Sequence, residues 1–466
     1  MKLKNTSNKL TISIDTLLKY DRPGPRYTSY PTAPVWDKDF GTERFKAKVI
    51  ETNSGKDLPP LSLYFHIPFC FSLCFYCGCH SIITRKRGHA AEYVSYLKKE
   101  IENISRFMNK SRKVVQLHWG GGSPDFLSPA EMETLYSDIT SHFTIDQDAE
   151  IGVELDPRET TQDHLKTLKG LRFNRISMGV QDFDPAVQKA VNRIQPEEMT
   201  RRFVQWCRDL GFYSINIDLI YGLPYQTVAS FQRTIDTVID INPDRIAMFN
   251  YAHVPWMKKH QKMMKEETLP QGREKLEILK TAIEKFTEAG YVYIGMDHFA
   301  KSKDELCTAQ KEKTLYRNFQ GYTTKAGCDL YGLGITSISM VGNCYAQNQK
   351  TLSDYYSAVD AGILATYRGY ELNHDDLLRR HIITRLMCDF ELTKQDVEKA
   401  YGIAFDDYFK KELAGLEPFR EDGLLILHPD KIEITDSGRT LIRNIAMVFD
   451  VYLEVPGREM RFSRTI

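Results

Sequence analysis

The chain has 466 residues, of which 62 are basic and 62 acidic, so its formal net charge is zero. This balance leaves no overall field that would attract nucleic acid or an anionic membrane surface, and we expect neither as a partner. The N-terminus lacks the apolar run of a signal peptide, and no stretch approaches about 18 consecutive apolar residues. These features predict a cytoplasmic protein.

Residues 1–50 are predicted to form an extended N-terminal arm. The first part of this segment is rich in proline, tyrosine and arginine, as in residues 24–31. Proline and glycine at this density favour irregular backbone over a helix or a strand. The aromatic rings of Tyr27 and Tyr30 could let the arm close over the mouth of the next domain and exclude water.

Residues 51–370 are predicted to form an α/β domain that carries the catalytic site. Short apolar runs alternate with amphipathic stretches, a pattern typical of repeated strand–helix units and a parallel sheet. The predicted strands are 61–66, 114–118, 151–155, 175–178, 214–219, 245–250 and 291–296. The predicted helices are 90–108, 128–143, 196–210, 227–241 and 273–289. Six or seven such units predict a TIM-like, incomplete (β/α) barrel with its functional residues where the strands end.

Residues 371–466 are predicted to form a small, mainly helical C-terminal domain with a β-wing. Asn373 and Thr393 have the character of helix N-caps, and residues 424–427 and 431–434 flank a turn as in a hairpin. The pattern is equally typical of a packing domain without chemistry of its own.

Four of the nine cysteines lie between Cys70 and Cys79, directly after the first predicted strand. Cys70, Cys74 and Cys77 are spaced so that one loop can wrap around a single inorganic cluster, whereas a structural zinc site usually pairs two cysteine hooks. Three thiolates on a 4Fe-4S cluster leave one iron open to a substrate. We predict that cluster on these three residues. The alternatives are that Cys79 completes the cluster or forms a zinc site with His80.

Further polar and glycine residues follow other predicted strands. Residues 118–124 contain three consecutive glycines, whose backbone can approach a ligand closely, although a glycine turn without a ligand is the alternative. Glu154 and Asp218 end apolar runs as lone carboxylates that could hold hydroxyl or ammonium groups, or else serve as helix caps or core ion pairs. Arg193 is a surface residue or a partner for a carboxylate.

The CxxxCxYC pattern of residues 70–77 resembles the signature of the radical S-adenosylmethionine (SAM) superfamily. Beyond this motif, the sequence resembles the oxygen-independent coproporphyrinogen III oxidase family nearly from end to end. The segments that carry this resemblance are 24–31, 64–79, 117–124, 174–183, 216–224, 250–253, 295–300, 318–324, 344–348 and 461–464.

The resemblance implies two SAM molecules beside the 4Fe-4S cluster. It places around the cluster-bound SAM the residues Tyr64, Gly121, Glu154 and Ile338. It places around the second SAM the residues Tyr76, Gly122, Ser123, Gln181, Arg193, Asp218 and Ala252. In this arrangement the guanidinium of Arg193 would bind a methionyl carboxylate.

The resemblance further implies anaerobic oxidative decarboxylation of two propionate groups of coproporphyrinogen III to vinyl groups, giving protoporphyrinogen IX in haem biosynthesis. A 5'-deoxyadenosyl radical generated from SAM at the cluster would start the reaction. Gln320 and Arg26 are candidates for the substrate pocket, and Arg85, Arg87 and Arg158 are further candidates for binding propionates. A monomer and a low-potential electron donor such as flavodoxin or ferredoxin are also implied.

Three other functions are compatible with parts of the sequence. A haem chaperone of the same superfamily typically has Phe where Cys79 stands and lacks the arm at 24–31. A zinc-stabilised binding module would use the cysteines without turnover, and an anaerobic haem-degrading methyltransferase would act on haem. The chain also departs from the family pattern where Ser123 replaces Thr and where residues 300–304 lack the usual Arg-Pro.

Overall fold

The computed structural model describes residues 13–454 and 462–465. The first twelve residues of the predicted arm, and Arg461 of the closing segment that carries part of the family resemblance, lie outside the described residues. Among the residues described, no helix combines the length and the apolar character needed to cross a membrane.

The strands alternate with helices through the middle of the chain. The strands are β1 (Leu61–Ile67), β2 (Phe69–Cys70), β3 (Ile82–Ile83), β4 (Lys113–Gly121), β5 (Thr144–Leu155), β6 (Arg175–Gln181), β7 (Ser214–Tyr221), β8 (Arg245–Asn250), β9 (Tyr291–Gly295), β10 (His298–Lys301), β11 (Tyr316–Asn318), β12 (Gly321–Thr323), β13 (Asp329–Leu333), β14 (Ile338–Val341), β15 (Cys344–Asn348), β16 (Thr366–Glu371), β17 (Glu391–Thr393), β18 (Leu425–Leu427) and β19 (Lys431–Ile434). The helices are α1 (Ile14–Tyr20), α2 (Gly41–Thr52), α3 (Gly88–Ser105), α4 (Pro129–His142), α5 (Gln162–Gly170), α6 (Pro185–Ala190), α7 (Glu197–Asp209), α8 (Val228–Ile241), α9 (Gly272–Glu288), α10 (Glu305–Lys311), α11 (Leu352–Asp360), α12 (His374–Asp389), α13 (Lys394–Tyr401), α14 (Phe405–Tyr408), α15 (Lys410–Glu421), α16 (Asp436–Arg439) and α17 (Ile442–Ala446).

In the described part of the chain, twelve strands form one sheet in the order β16-β15-β14-β13-β1-β4-β5-β6-β7-β8-β10-β9. The strands from β13 to β8 in this order are all parallel to their neighbours. Antiparallel strands extend the sheet at both ends, and the sheet does not close on itself. The predicted α/β fold with an incomplete TIM-like barrel is therefore confirmed.

The last predicted strand of the parallel series is wrong in its direction. Residues 291–296 were expected to continue the parallel sheet, but β9 pairs antiparallel with β10, which itself lies antiparallel to β8. Gly295 and Met296 have positive φ angles of 139° and 53°, which turns the chain back at once. Parallel strands need a long crossover connection, and so tight a turn between β9 and β10 can only produce a hairpin.

Side chains on a strand point alternately to its two faces, and on β5, β6 and β7 several of those that point into the barrel are polar. The helices bury apolar residues against one face of the sheet, while every second residue of β5, β6 and β7 faces inward. Glu154 lies opposite Ser177 in the sheet register, and Gly179 lies opposite Asp218. This row of inward-facing residues ends at the carboxyl ends of the strands, where the cysteine loop also begins.

The N-terminal segment is not extended throughout. Residues 14–20 and 41–52 form α1 and α2, because the Ser13 side chain caps the first helix and Phe45 and Val49 are buried along one side of the second. Residues 21–32 have irregular backbone and are packed: Tyr27 and Tyr30 are buried, and the Tyr27 hydroxyl donates to Asp450 at 2.9 Å. The tyrosines that suggested a lid are thus fixed against the C-terminal part of the chain.

The C-terminal region contains the predicted helix starts and hairpin. Asn373 caps α12, where its side chain and that of Asp376 each accept from the other's backbone amide. Thr393 precedes α13 without a side-chain cap. Strands β18 and β19 form the predicted hairpin, and β17 adds a third strand beside β19.

Candidate active site

The cysteine loop begins directly after β1 and is bound to the barrel rim by its backbone. The amide of Ser123 donates to the Phe69 carbonyl at 2.9 Å, and the amide of Thr84 donates to the Cys70 carbonyl at 3.0 Å. On the other side, residues 191–192 and 258–261 hold the loop. The contacts there are Phe75 N to Val191 O at 2.9 Å, Asn192 Nδ2 to Leu73 O at 2.7 Å, His260 Nε2 to Cys77 O at 2.8 Å and Lys258 Nζ to Cys79 O at 2.8 Å.

Cys70, Cys74 and Cys77 line one cavity of about 180 Å³ at the carboxyl ends of the strands. Most residues that the sequence proposed for SAM binding line the same cavity. They are Tyr76, Gly121, Gly122, Ser123, Glu154, Gln181, Arg193 and Asp218. Cys79 also lines it but is exposed. The structure therefore brings together thiols, a glycine turn and two carboxylates that are scattered in the sequence.

The donors around the thiols suit an iron–sulfur cluster. Two arginines direct N–H groups at the sulfur of Cys74, Arg158 Nη2 at 3.5 Å and Arg193 Nη1 at 3.7 Å. The pKa of Cys77 is lowered to about 6, first by a hydrogen bond from Cys79 and further by the positive charge of Lys258. Burial raises the pKa of Cys70. Hydrogen bonds and positive charge at cysteine sulfurs favour an anionic cluster.

The three thiols that line this cavity are the type of ligand that a 4Fe-4S cluster takes. Within residues 13–454 and 462–465, no three His, Cys, Asp or Glu side chains converge closely enough for one metal ion. A zinc ion would draw its sulfur ligands to about 2.3 Å, whereas a cubane holds each thiolate on a different iron. The donor set around this cavity thus fits a 4Fe-4S cluster.

Each of the three glycines at the end of β4 is constrained by a close neighbour or by its backbone angle. A Cβ atom at Gly122 would lie 2.7 Å from backbone atoms of Pro68 and Phe69. At Gly120 it would lie 2.8 Å from the Glu154 carboxylate, and Gly121 has a φ of 118°. These contacts let the turn lie against both the cysteine loop and β5, with its backbone at the cavity wall.

Glu154 is fixed by groups on two neighbouring segments. Its Oε2 accepts from the Gly121 amide at 3.1 Å, and its Oε1 lies 3.3 Å from His118 Nε2. Burial alone would raise the pKa of this carboxyl, but the hydrogen bonds from His118 and Gly121 lower it overall. A negative charge therefore faces the cavity beside backbone amides. Tyr64 does not line this cavity; it stacks on His118 with ring centres 6.1 Å apart.

Arg193 and Asp218 differ in how their charges are balanced. Arg193 makes two hydrogen bonds to Asp156, at 3.0 and 3.2 Å, and a third to the Gly179 carbonyl at 2.7 Å. The pKa of Asp218 is raised to about 7 by burial and by the nearby charge of Glu154. Gln181 has a positive φ of 70° and a buried Oε1 without a partner among the described residues.

Asp156, the partner of Arg193, was missed in the sequence analysis. It follows β5 immediately, so its position at a strand end was the signal that could have identified it.

Besides Tyr64, two further proposed SAM residues, Ala252 and Ile338, lie outside the cavity lining. The carbonyl of Ala252 accepts from Gln261 Nε2 at 3.2 Å, and the same amide group donates to the Tyr76 carbonyl. Ile338 packs beside a separate apolar cluster that includes Trp36 and Tyr345. Neither side chain is placed with the thiols by the geometry.

A second cavity, also of about 180 Å³, shares Glu154, Ser177 and Asp218 with the first. It extends along the barrel interior and is lined by Gln320 together with Phe249, His298 and Tyr322. Arg26 lies beside it: its guanidinium pairs with Asp297 at 2.8 Å and its central carbon is 5.6 Å from the centre of the Phe249 ring.

The other arginines proposed for propionates lie elsewhere. Arg158 lines the first cavity and pairs with Asp156 at 2.6 Å. Arg87 donates to the Phe126 carbonyl at 2.8 Å and covers the Phe71 ring, and Arg85 is exposed.

Comparison with known proteins identifies relatives along the whole chain. Residues 64–238 match the radical SAM superfamily model, and residues 372–441 match the model of the HemN C-terminal domain. The chain is 47% identical to the oxygen-independent coproporphyrinogen III oxidase of Synechocystis sp. over 100% of both chains. It is 48% identical to the Pseudomonas aeruginosa protein of the same name, over 97% of this chain and 98% of that protein. The solved structure of coproporphyrinogen III oxidase (HemN) from Escherichia coli, a radical SAM enzyme, superimposes with a TM-score of 0.90 at 45% identity, covering 96% of this chain and all of that one.

Proposed function

This chain belongs to the oxygen-independent coproporphyrinogen III oxidases, which are radical SAM enzymes, and from that premise we propose how its two cavities divide the reaction. The enzyme oxidatively decarboxylates coproporphyrinogen III in haem biosynthesis, using a 4Fe-4S cluster and SAM. The haem-chaperone, zinc-module and methyltransferase alternatives give way to this assignment. One observation carries the detailed proposal: the three cysteines, the glycine turn and Glu154 line a single cavity that shares a wall with a second one.

The cluster would be held by Cys70, Cys74 and Cys77 in the first cavity. The one-electron chemistry that removes hydrogen from a propionate comes from the cluster together with SAM when both are bound. The protein's part is to hold the loop rigid from both sides and to place two guanidinium groups at the Cys74 sulfur. With three thiols proposed as ligands for four irons, one iron would be left without a protein ligand.

The SAM that binds the cluster would contact the glycine turn and Glu154. Backbone groups of Gly121 and the Glu154 carboxylate face the same space and can hold an ammonium group and hydroxyl groups. Tyr64 supports this wall through its stacking on His118, which in turn approaches Glu154. Ile338 completes the proposed set by family resemblance alone.

We propose a second SAM molecule beside the first, contacted by a further set of residues. Those that line the cavity are Tyr76, Gly122, Ser123, Gln181, Arg193 and Asp218, and Ala252, outside the lining, joins them by family resemblance. Support comes from the unpartnered Oε1 of Gln181 and from Asp218, which borders both cavities. Arg193 already holds Asp156, so a ligand carboxylate would have to share or exchange that partner.

The substrate would lie in the second cavity, with one propionate directed at the wall shared with the first. Gln320 and the aromatic rings of Phe249 and Tyr322 line this chamber, and Arg26 lies at its margin. Placement of the reacting carbon in the barrel interior would limit its contact with water and competing hydrogen donors. We further propose a cytoplasmic monomer that receives electrons from flavodoxin or ferredoxin, with an arm at 1–50, the catalytic barrel at 51–370 and a C-terminal domain at 371–466.

The activity is tested by anaerobic incubation of the reconstituted chain with SAM, dithionite and coproporphyrinogen III, followed by chromatography of the porphyrins. Protoporphyrinogen IX is expected, and Cys74→Ala is expected to abolish it because a cluster ligand is lost. Haem binding without any decarboxylated product would refute the assignment. The number of SAM molecules is read separately by equilibrium binding, where Asp218→Asn is expected to weaken one of two sites and spare the other.

A further inference from the structure

Arg317 carries buried donors that nothing in the described chain accepts. Its side chain belongs to a residue only 7% exposed, and its N–H groups at Nε and Nη1 have no hydrogen-bond partner among the residues described. Arginine is almost never buried unless it is paired, since an unpaired buried charge is strongly destabilising. Arg112, which is buried to a similar degree, shows the usual arrangement and donates to Asp329 at 2.6 Å.

The position of Arg317 connects it with the proposed substrate chamber. It lies on β11 directly opposite Tyr322 of β12, and its guanidinium carbon is 4.9 Å from the centre of the Tyr322 ring. Tyr322 meets His298 edge to face at 5.3 Å, and both rings line the second cavity. Arg317 therefore contacts a ring that forms the wall of the chamber.

The same hairpin offers a second donor without a partner. Gln320, in the turn between β11 and β12, lines the second cavity, and its buried Nε2 has no acceptor in the part of the chain that the structure describes. The Nδ1 atom of His298, whose ring meets that of Tyr322, is also buried and has no partner among the described residues. A carboxylate accepts several hydrogen bonds and matches the fork of a guanidinium, so it is the group that such donors would bind best.

Charge around Arg317 is positive. The side chain lines a small pocket with Arg380, residues 27–30 of the arm and the rings of Tyr316 and Tyr345, and none of the pocket's lining residues is Asp or Glu. The pKa of His298 is lowered to about 3, first by burial and then by the charge of Arg317. The carboxylate of Asp297 is already paired with Arg26.

We propose that Arg317, with Gln320 beside it, binds a propionate carboxylate of the substrate. Among the candidate arginines, Arg26 and Arg158 are paired with aspartates and Arg87 donates to a carbonyl. Arg317 instead has two N–H groups without an acceptor among the described residues. The macrocycle would lie against Phe249 and Tyr322 while this contact fixes its orientation. The inference rests on the proposed function, since the substrate supplies the anion that the pocket lacks.

Binding is tested with coproporphyrin III, the stable oxidised tetra-acid, and with its tetramethyl ester, by porphyrin fluorescence on the anaerobically reconstituted full chain. Arg317→Gln is expected to weaken tetra-acid binding about ten- to hundredfold and to leave ester binding unchanged. Arg317→Lys keeps the positive charge but loses the planar guanidinium, so its affinity for the tetra-acid is expected to lie between those of the parent chain and Arg317→Gln. Arg106→Gln, at an exposed position that lines neither cavity, is the control for loss of a positive charge and should bind like the parent.

Thermal melting of the same samples separates a binding role from a structural one. Arg317→Gln removes a buried charge whose Nε and Nη1 groups have no acceptor among the described residues, and it loses only the contact with the Tyr322 ring, so it should melt no lower than the parent chain. Unchanged tetra-acid affinity would overturn the inference, and so would an equal loss for acid and ester with a lower melting temperature. If the parent converts coproporphyrinogen III but Arg317→Gln binds normally, only the inference fails. If binding depends on Arg317 but the parent yields no decarboxylated product, only the proposed function fails.

Discussion

The Nη2 atom of Arg158 lies 3.5 Å from the Sγ atom of Cys74, within reach of a hydrogen bond to a cluster ligand. Arg193 approaches the same sulfur at 3.7 Å, and Asp156 orients both guanidinium groups through contacts of 2.6 and 3.0 Å. The sequence offered Arg158 to a propionate; the structure instead places it against the cysteine loop. Two positive charges at one thiolate should favour the cluster state with one more electron.

Replacing Arg158 by glutamine is expected to make the midpoint potential of the cluster more negative. A hydrogen bond whose strength differs between oxidation states by about 1.4 kcal/mol moves a one-electron potential by about 60 mV, so we expect a shift on the order of 50 mV. The measurement is a redox titration of the reconstituted protein followed by electron paramagnetic resonance. Arg106→Gln serves as the control for removal of a positive charge. An unshifted potential at full iron content would show that the contact does not tune the cluster.

Substituting alanine at Gly122 is expected to reduce the iron and sulfide content after reconstitution severalfold. The added Cβ would lie 2.7 Å from backbone atoms of Pro68 and Phe69, so the cysteine loop must move away from β4. Gly78→Ala is a matched control within the same loop, because a Cβ there has no neighbour within 4 Å. Equal cluster content in the two variants would mean that the loop tolerates the displacement.

Much of the barrel was predictable because its signals are local. The strands from 61–66 to 245–250 are buried apolar runs separated by helices. Two of these helices begin with a capping box, formed by Ser128 and by Thr227 each with the residue three positions later. The cysteine spacing likewise suggested Cys70, Cys74 and Cys77 as the proposed ligands without knowledge of the fold. Because parallel strands end on one rim, the glycine turn and Glu154 could be expected beside the cluster loop.

The remainder depends on contacts between distant segments, which no local pattern reports. In the sequence Asp156 is an ordinary residue after β5, and only the structure shows that it accepts hydrogen bonds from Arg193, 37 positions later. Nothing in the sequence distinguishes Arg317 from other arginines. Only the structure shows that it is buried and that its Nε and Nη1 groups have no acceptor among the described residues. The direction of β9 was missed for a different reason: an apolar run predicts a strand but not the hairpin that reverses it.

Glu100 is expected to make stability fall as the pH rises. This buried carboxyl of α3 accepts hydrogen bonds from Tyr355, Gly334 and Asn348 at 2.6 to 2.7 Å, yet burial raises its pKa from 4.5 to about 7. The folded chain therefore holds the proton more tightly than the unfolded chain. The stabilisation from this group is complete below the unfolded pKa and is lost as the pH rises through the folded one, by about 3 kcal/mol.

The measurement is the free energy of unfolding in urea at about pH 5 and about pH 8. Glu100→Gln cannot titrate, so its stability should change less between these two conditions than that of the parent. Glu133→Gln removes an exposed carboxyl on α4 and should keep the parent's pH dependence. If the free energy of unfolding changed equally between the two pH values in Glu100→Gln and in the parent, Glu100 would not be the group responsible.

Replacing Cys79 by alanine is expected to preserve the cluster, whereas Cys77→Ala should lose most of its iron. Cys79 is exposed and donates a hydrogen bond to Cys77, so its removal leaves the three proposed ligands in place while raising the pKa of the Cys77 thiol. Addition of SAM to anaerobic Cys79→Ala should then change the electron paramagnetic resonance spectrum as it does in the parent, since one iron is still open. If Cys79→Ala fails to hold four irons, Cys79 is itself a ligand, and an open coordination site for SAM no longer follows from the cysteine count.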